Sequence, residues 1–228
     1  TATFNSTNNA ITDSGTLTIA GASTFNSGTA NLDLNEAASS FGDLTITSAE
    51  AYVSDSGALT ASNVQADKVQ LKAGSGISAT STGVTEFAAE SDSGDISITN
   101  TGGYALSDFA STSGITGVRF TDSDATGTIT LIANSPLTIN VPVDAGKGAL
   151  QLTAAGSAST DDVTVNAAIS GGAIAVDAGD SIAVNSGGVT SSSLSLSASN
   201  DISVNAPINA TTANLNAGDQ ISLEFGAR

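Results

Sequence analysis

Aliphatic residues separated by a single small or polar residue recur at a regular interval in the second half of the chain. The strongest pairs are Val163/Val165, Ile182/Val184, Ile202/Val204 and Ile221/Leu223. Their first members follow one another in steps of 19, 20 and 19 along the sequence. Strict alternation places both aliphatics of a pair on one face of a β-strand and the middle residue on the other. The pattern therefore predicts short strands with one buried and one exposed face.

A second series of aliphatic positions lies between these pairs. Further pairs begin at Ile174 and Leu194, one step of 20 apart, and the same internal spacings reach back to Val118. Single aliphatics occur at Ile169, Val189 and Ile208. Before residue 118 the repetition is weaker: "TFN" occurs at 3–5 and 24–26, and "DSG" begins at 13, 55 and 92. We count about eleven units in all.

A period of 19–21 residues is typical of a solenoid. Because each unit supplies three short strands that stack on their equivalents, we predict an all-β fold, a right-handed parallel β-helix. Residues 1–228 form a single β-helical segment in this interpretation. Residues 1–117 are expected to form less regular coils with a possible loop at 100–114. Residues 118–228 are expected to form regular coils with a corner insertion near 153–161.

Asparagines occupy one repeated place in these units. Asn166, Asn185 and Asn205 each lie three residues after the first aliphatic of a unit, and Asn140 lies three residues after Leu137. Asparagine tolerates the backbone bend of a corner, and stacked amides can hydrogen-bond along a column. We therefore predict a structural ladder of these four asparagines along one corner.

Composition narrows the possible functions. The chain has a formal net charge of −17, with five basic residues, no histidine and no cysteine. Such a surface repels phosphate backbones and anionic lipids, so we expect no nucleic-acid partner and no membrane insertion. Abundant Val, Ile and Thr at regular positions disfavour the disorder that a Gly-, Ser- and Asn-rich chain could otherwise adopt.

The phrases "DVTVNAAI", "DISVNAPINA" and "LNAGDQISL" resemble the coils of filamentous-haemagglutinin-type adhesins. These are large β-helical exoproteins of Gram-negative bacteria, exported by two-partner secretion or as autotransporter-like passengers. The resemblance covers residues 118–228 best. It implies an extracellular stalk on the bacterial cell surface that contributes to attachment, with glycans or proteins of host or neighbouring cells as possible ligands.

The two ends of the sequence raise a related expectation. Thr1 opens in strand-like sequence, and the unit that begins at Ile221 stops partway round. We expect neighbouring β-helical coils of a longer chain to continue in both directions, or copies to stack end to end, because open strand edges favour pairing.

Catalysis has weak support in the sequence. The absence of histidine and cysteine removes the usual triads and thiol nucleophiles. Some β-helical proteins act on polysaccharides with paired acids. The candidate pairs here are Asp122/Asp124, near Arg119, and Asp161/Asp162. Short Asp spacings are common in turns, so we expect no enzyme activity and no cofactor, with a carbohydrate-active β-helix as the alternative.

A calcium-stabilised surface repeat is a further alternative. Asp162, Asp180, Asp201 and Asp219 recur in steps of 18, 21 and 18. Relative to the first inward aliphatic they alternate between one and two residues upstream. Successive strand positions point in opposite directions, so these carboxylates need not form a column. We expect solvated turn carboxylates and no metal site.

The break in the repeat, "NTGGYALSDFASTSG" at 100–114, holds the candidates for ligand binding. It contains Tyr104, Asp108 and Phe109. Segments that interrupt a rigid scaffold often carry function. The alternative is that Tyr104 and Leu106 form one more inward pair, since aromatic residues are commonly buried.

Overall fold

A computed structural model describes residues 1–109 and 114–224 as a parallel β-solenoid of about 11 coils. Every strand pairs in parallel with its equivalents in the neighbouring coils. These residues contain no helix, and hence none with the length and apolar character to cross a membrane. The all-β solenoid predicted from the repeat period is confirmed. The right-handed sense of the coil stays a prediction.

The first two coils contain three short strands each. The strands are β1 (Ala2–Asn5), β2 (Ile11–Thr12), β3 (Thr18–Ile19), β4 (Ser23–Asn26), β5 (Leu32–Leu34) and β6 (Ser40–Phe41). β3 and β6 form a separate two-stranded sheet. Phe4 and Phe25 stack with ring centroids 4.6 Å apart, and Phe25 meets Phe41 edge-on at 6.1 Å. Aromatic rings therefore fill the wide interior of these coils.

Coils 3 to 5 contain two longer strands each. The strands are β7 (Asp43–Thr47), β8 (Glu50–Asp55), β9 (Leu59–Gln65), β10 (Lys68–Ala73), β11 (Ile77–Ser81) and β12 (Glu86–Ser91). β8, β10 and β12 pair in register over six residues, so this side is flat and broad. These coils depart from the predicted three strands because they are shorter. Ala51 pairs with Val69 and Val69 with Phe87, which makes each coil a step of 18.

Coils 6 to 11 return to three sides. The strands from coil 6 to the middle of coil 8 are β13 (Ile96–Asn100), β14 (Tyr104–Leu106), β15 (Val118–Phe120), β16 (Thr128–Ala133), β17 (Leu137–Ile139), β18 (Val143–Asp144), β19 (Ala149–Ala154) and β20 (Val163–Val165). The rest are β21 (Ile169–Ala178), β22 (Ile182–Val184), β23 (Val189–Ala198), β24 (Ile202–Val204), β25 (Ile208–Ala217) and β26 (Ile221–Leu223). The ten-residue strands run across a corner from one side into the next coil.

The interior of the solenoid is one continuous hydrophobic cluster that extends from Phe25 to Ala206. The aliphatic pairs singled out from the sequence supply its C-terminal part: Val163, Val165, Ile182 and Val184 are at most 1% exposed. Their intervening residues face outward, as alternation requires. Each inner coil therefore buries its inward side chains against both neighbours, whereas Phe4, Ile221 and Leu223 of the first and last coils are exposed.

Two insertions interrupt the coils without breaking the ladders. β12 pairs with β14 through Phe87↔Leu106 and then with β15 through Ala89↔Val118, so the chain leaves the sheet after Leu106 and rejoins it at Val118, opposite Ala88. The loop predicted at 100–114 is thus displaced, since residues 104–106 form β14; residues 110–113 lie outside the described residues. Residues 155–162 connect β19 to β20 and form the second, longer connection, and the corner insertion near 153–161 stays a prediction.

The four predicted asparagines lie in one column at the corner that follows β17, β20, β22 and β24. The side-chain Nδ2 of Asn166 donates to Oδ1 of Asn140 at 2.9 Å, and Asn185 donates likewise to Asn166 at 3.0 Å. Asn205 donates to Asn185 at 3.5 Å. Their backbone N–H groups also donate to the preceding coil, for example Asn185 to the Val165 carbonyl at 2.8 Å. The amides thus form a chain of hydrogen bonds parallel to the long axis of the solenoid.

Candidate ligand-binding face

Coils 3 to 5 present a face unlike the rest of the molecule. We call the outward side of β8, β10 and β12 the charged face. Its columns, read from coil to coil, are Glu50–Lys68–Glu86, Tyr52–Gln70–Ala88 and Ser54–Lys72–Glu90–Arg119. Three of the five basic residues of the chain therefore lie on or beside this face. Because the strands are six residues long, three outward columns run side by side.

Glu90 is the centre of an ion-pair network on the charged face. Its side chain is 7% exposed and accepts a hydrogen bond from Nζ of Lys72 at 2.9 Å. Arg119 donates to the other carboxylate oxygen through Nε at 3.1 Å and Nη2 at 2.6 Å. Burial by itself raises the pKa of Glu90, but the bonds and charges of Lys72 and Arg119 outweigh it and hold that pKa below its ordinary value. Glu90 thus binds both cations, and the three side chains together carry a net charge of +1.

The insertion at 107–117 covers the middle column of the charged face. Phe109 and Ile115 pack with Ala88 in a small hydrophobic cluster of their own, and the half-buried Tyr52 lies against it. Nζ of Lys68 sits 5.9 Å from the centre of the Phe109 ring. Gly117 ends the segment with a φ of 74°, and a Cβ there would collide with the Pro142 carbonyl oxygen. Phe109 and Ile115, the described apolar residues of this segment, thus pack against the sheet and support Tyr52 from one side.

A cavity of about 160 Å³ lies on the other side of Tyr52, toward the first coil. Its lining residues are Ala10, Thr12, Asn31, Leu32, Asp33, Glu50, Ala51, Tyr52 and Gln70. This volume is below the roughly 300–1,000 Å³ of a site for a drug-sized ligand. The cavity can therefore hold one small group or one extended side chain.

Two ionisable residues of the cavity have perturbed pKa values. Burial raises the pKa of Asp33, the nearby Asp13 charge raises it further, and a hydrogen bond from Asn35 opposes the rise. One carboxylate oxygen of Asp33 is buried and accepts no hydrogen bond within the described part of the chain. Burial also raises the pKa of Tyr52, whereas the Lys72 charge lowers it. Burial of the Asp33 oxygen without a donor disfavours the charged form of the carboxylate.

The three binding candidates from the break in the repeat have different positions. Tyr104 is 4% exposed and meets Phe87 edge-on at 5.2 Å inside the solenoid, so it faces the core and not a ligand. Phe109 is 7% exposed and belongs to the small cluster under the insertion. Asp108 is exposed and accepts a bond from the Thr116 hydroxyl at 3.4 Å. Of the three, Phe109 contributes to the charged face, and it does so by supporting Tyr52.

The acidic pairs considered for catalysis lie in turns. Asp122 accepts a bond from the backbone N–H of Asp124 at 2.9 Å, and Asp124 pairs with Lys147 at 2.6 Å. Arg119 is bound to Glu90 instead of this pair. In the second pair, Asp161 is 3% exposed and closes the 155–162 insertion by accepting from the Ala158 N–H at 2.5 Å. Neither arrangement leaves two free carboxylates across a cleft.

The acidic series considered for calcium is divided between two columns. Backbone bonds place Asp161, Asp180, Asn200 and Asp219 in one column and Asp162, Ser181, Asp201 and Gln220 in the next. Asp162 and Asp201 accept backbone N–H bonds from Ser181 and Gln220, both at 3.0 Å. Burial, then the charges of Asp180 and Asp161, raise the pKa of Asp162. Across residues 1–109 and 114–224, no group of three or more His, Cys, Asp or Glu side chains could hold a metal ion.

Sequence reasoning missed the charged face and its cavity. A usable signal existed: Glu50, Lys68 and Glu86 follow one another in steps of 18, as do Ser54, Lys72 and Glu90. Charges of opposite sign at a fixed spacing predict stacked ion pairs on successive strands. The step of 18 residues in coils 3 to 5 is shorter than the period of 19–21 residues in the C-terminal half, so the longer period does not relate these charged residues to one another.

Comparisons with known proteins connect one part of the chain to a family. A family model described as repeats of unknown function (DUF5649) matches residues 1–48. This stretch covers coils 1 and 2 and β7, where the repeat is least regular in the sequence. No curated protein and no solved structure gives a significant match. Residues 1–48 of this β-solenoid are thus similar to a repeat family whose function is not known.

Proposed function

We propose that this chain is a stalk segment of a large exported protein of the bacterial cell surface, where it contributes to attachment. In this role it works as a rod without catalytic activity of its own. The continuity of the solenoid supports the proposal. One hydrophobic cluster extends from Phe25 to Ala206, and the strands before and after each insertion pair in register with the neighbouring coil. A rod transmits force and keeps its two ends a fixed distance apart only if no coil unfolds more easily than the others.

The dimensions and surface suit this role. Coils stack ~4.8 Å apart, so about 11 coils span roughly 50 Å along the axis. The formal net charge of −17 favours solubility and opposes side-by-side association of neighbouring rods. The resemblance of residues 118–228 to haemagglutinin-type coils is a further argument for a location outside the cell.

Deletion of whole and partial coils tests the proposal. The chain is fused between a surface anchor and a reporter binding domain and displayed on cells. Removing residues 182–201 takes out one coil and joins Ser181 to Ile202, which is the place of Ile182 in the next coil. We expect the shortened rod to keep its export and its attachment, because the ladders close again in register.

Removing residues 182–192 is the matched control, because it takes out part of a coil and shifts the following strand by an odd number of positions. Ser193 and Ser195 then take the inward places of Ile182 and Val184, and Leu194 turns outward. We expect this variant to lose export or to be degraded. Attachment measured under flow, together with surface labelling of the reporter, gives the comparison. If both deletions behave alike, the segment is not a modular stalk and the proposal fails.

A further inference from the structure

The cavity beside Tyr52 combines two carboxylates with the hydroxyl and amide side chains of Thr12, Asn31 and Gln70, and no basic side chain lines it. Asp33 and Glu50 are carboxylates, and one Asp33 oxygen is buried without a donor among the described residues. The Asn31 amide is directed at Oε2 of Glu50 at 3.5 Å. Tyr52 supplies an aromatic wall, and Leu32 and Ala51 supply apolar surface. A ligand that carries positive charge, donates hydrogen bonds and has a narrow apolar stem complements the two carboxylates and this apolar wall.

We propose that this cavity binds the side chain of a lysine on a partner protein. The ammonium group lies between the carboxylates of Asp33 and Glu50, and the methylene stem lies along the Tyr52 ring. An ammonium group has three donors and no acceptor, which complements the lining. A cation over the face of an aromatic ring gains further attraction from the ring quadrupole.

Other ligand classes fit less well. The −17 net charge repels anions and draws cations toward the molecule. A calcium ion requires six to eight oxygen ligands, whereas two carboxylates line this cavity. Lys68 pairs with Glu86 at 3.7 Å, and Lys72 and Arg119 both bind Glu90, so within the described residues these three make no ion pair with Asp33 or Glu50.

The position of Tyr52 is fixed before a ligand arrives. Its other side lies against the cluster of Ala88, Phe109 and Ile115 under the 107–117 insertion. A preorganised wall reduces the entropy lost on binding. The insertion and the cavity are thus parts of one site, although the insertion itself does not line the cavity.

The chain contains its own reporter for this site. It has two tyrosines and no tryptophan, and the second tyrosine, Tyr104, is buried in the core. Incorporation of 3-fluorotyrosine therefore gives two ¹⁹F NMR signals, one at the cavity and one internal reference. On titration with Nα-acetyl-lysine methylamide we expect the Tyr52 signal to shift saturably, with a Kd of about 1–10 mM, and the Tyr104 signal to stay in place.

Related ligands test which chemical features of the lysine side chain the cavity recognises. Nε-acetylation of the lysine ligand keeps the stem and removes the charge, and we expect it to weaken binding at least about tenfold. Glucosamine carries an ammonium group on a ring, and calcium chloride supplies a metal cation. Tighter binding of glucosamine, or displacement of the lysine ligand by calcium at equal concentration, would overturn the assignment to a lysine side chain.

A pair of matched variants distinguishes binding in the cavity from the general effect of the net charge. Asp33→Asn should weaken binding of the lysine ligand about tenfold, because it removes the carboxylate charge at almost constant shape. Asp219→Asn, at an exposed position in the last coil, makes the same charge change and should leave the affinity unchanged. Thermal melting of each variant verifies that the fold is intact. Equal affinities for the two variants, or no saturable Tyr52 shift in the parent chain, would refute the site. This outcome is independent of the stalk function.

Discussion

Coils 3 to 5 and coils 9 to 11 enclose the same hydrophobic core in two ways. In the first group a coil has two sides, and β8, β10 and β12 are straight strands of six residues. In the second group the same path is divided into a three-residue strand, an asparagine corner and the start of a ten-residue strand. The difference in length is small: Val69 pairs with Phe87, a step of 18, and Ile182 pairs with Ile202, a step of 20.

This comparison shows how a small change in coil length changes the outer surface. Without the corner, three outward columns lie side by side and can hold an ion-pair network and a cavity. With the corner, each side presents narrower strips of Ser, Ala, Thr and Asn. The aromatic residues follow the same division: both tyrosines and six of the seven phenylalanines occur before residue 121. Binding chemistry is therefore expected in the first half and regular stacking in the second.

The largest expected effect is the loss of an aromatic residue from the two-sided coils. Phe87→Ala removes a fully buried ring that packs edge-on against Tyr104, and we expect a loss of about 3–5 kcal/mol of stability. Tyr104→Phe is the control: it removes a buried hydroxyl that has no hydrogen-bond partner among the described residues, so stability should stay equal or rise. Urea unfolding measures both. A cost below about 1 kcal/mol for Phe87→Ala would show that the interior collapses around the gap.

The second largest effect on stability is expected from the ion-pair network of the charged face. Glu90→Gln keeps the shape, removes the charge shared by Lys72 and Arg119, and should cost about 1 kcal/mol, since both cations are partly exposed. Because the pKa of Glu90 is lowered in the fold, its contribution is present above the ordinary glutamate pKa. The contribution is lost as the pH falls through the lower, folded value. Glu86→Gln, whose pair with Lys68 is longer and more exposed, should cost less in the same melting series.

A smaller effect distinguishes positions within the asparagine column of the three-sided coils. Asn185 both donates to Asn166 and accepts from Asn205, whereas Asn205 donates to Asn185. Because these amides are exposed, each bond contributes at the low end of about 0.5–1.5 kcal/mol. Asn185→Ala should therefore destabilise the chain more than Asn205→Ala does. Equal costs in urea unfolding would mean that the amides contribute as single corner residues and not as a chain.

The smallest expected effect is that of a chelator. In the series considered for calcium, Ser181 separates Asp162 from Asp201 and Asn200 separates Asp180 from Asp219, so we expect folding to need no cation. Excess EDTA should leave the melting temperature unchanged, and added calcium should not raise it. A fall of many degrees with EDTA would show that these carboxylates hold a metal ion.

The regular strands of the repeat and their buried faces could be predicted from the local sequence. Alternating aliphatics at Val163, Ile182 and Ile202 fix which face of each strand is buried, because the side-chain period of two is a property of the strand itself. The asparagine corners could be located for the same reason, since each one lies at a constant distance from the aliphatic pair that precedes it. Tyr104 and Leu106 show the limit of this reasoning: as one inward pair they are a strand, although their sequence also allowed a loop.

Tertiary structure decided the number of sides of a coil, the path of the insertion and the composition of the outer columns. Glu90 meets Arg119 across 29 residues, and that separation includes the 107–117 insertion, so no constant period relates the two. Tyr52 and Phe109 are brought together in the same way. Which residues of a strand face inward is a local property, so it does not change when the coil length changes. An outward column depends instead on the register between coils. That register is set by the length of every intervening corner and loop.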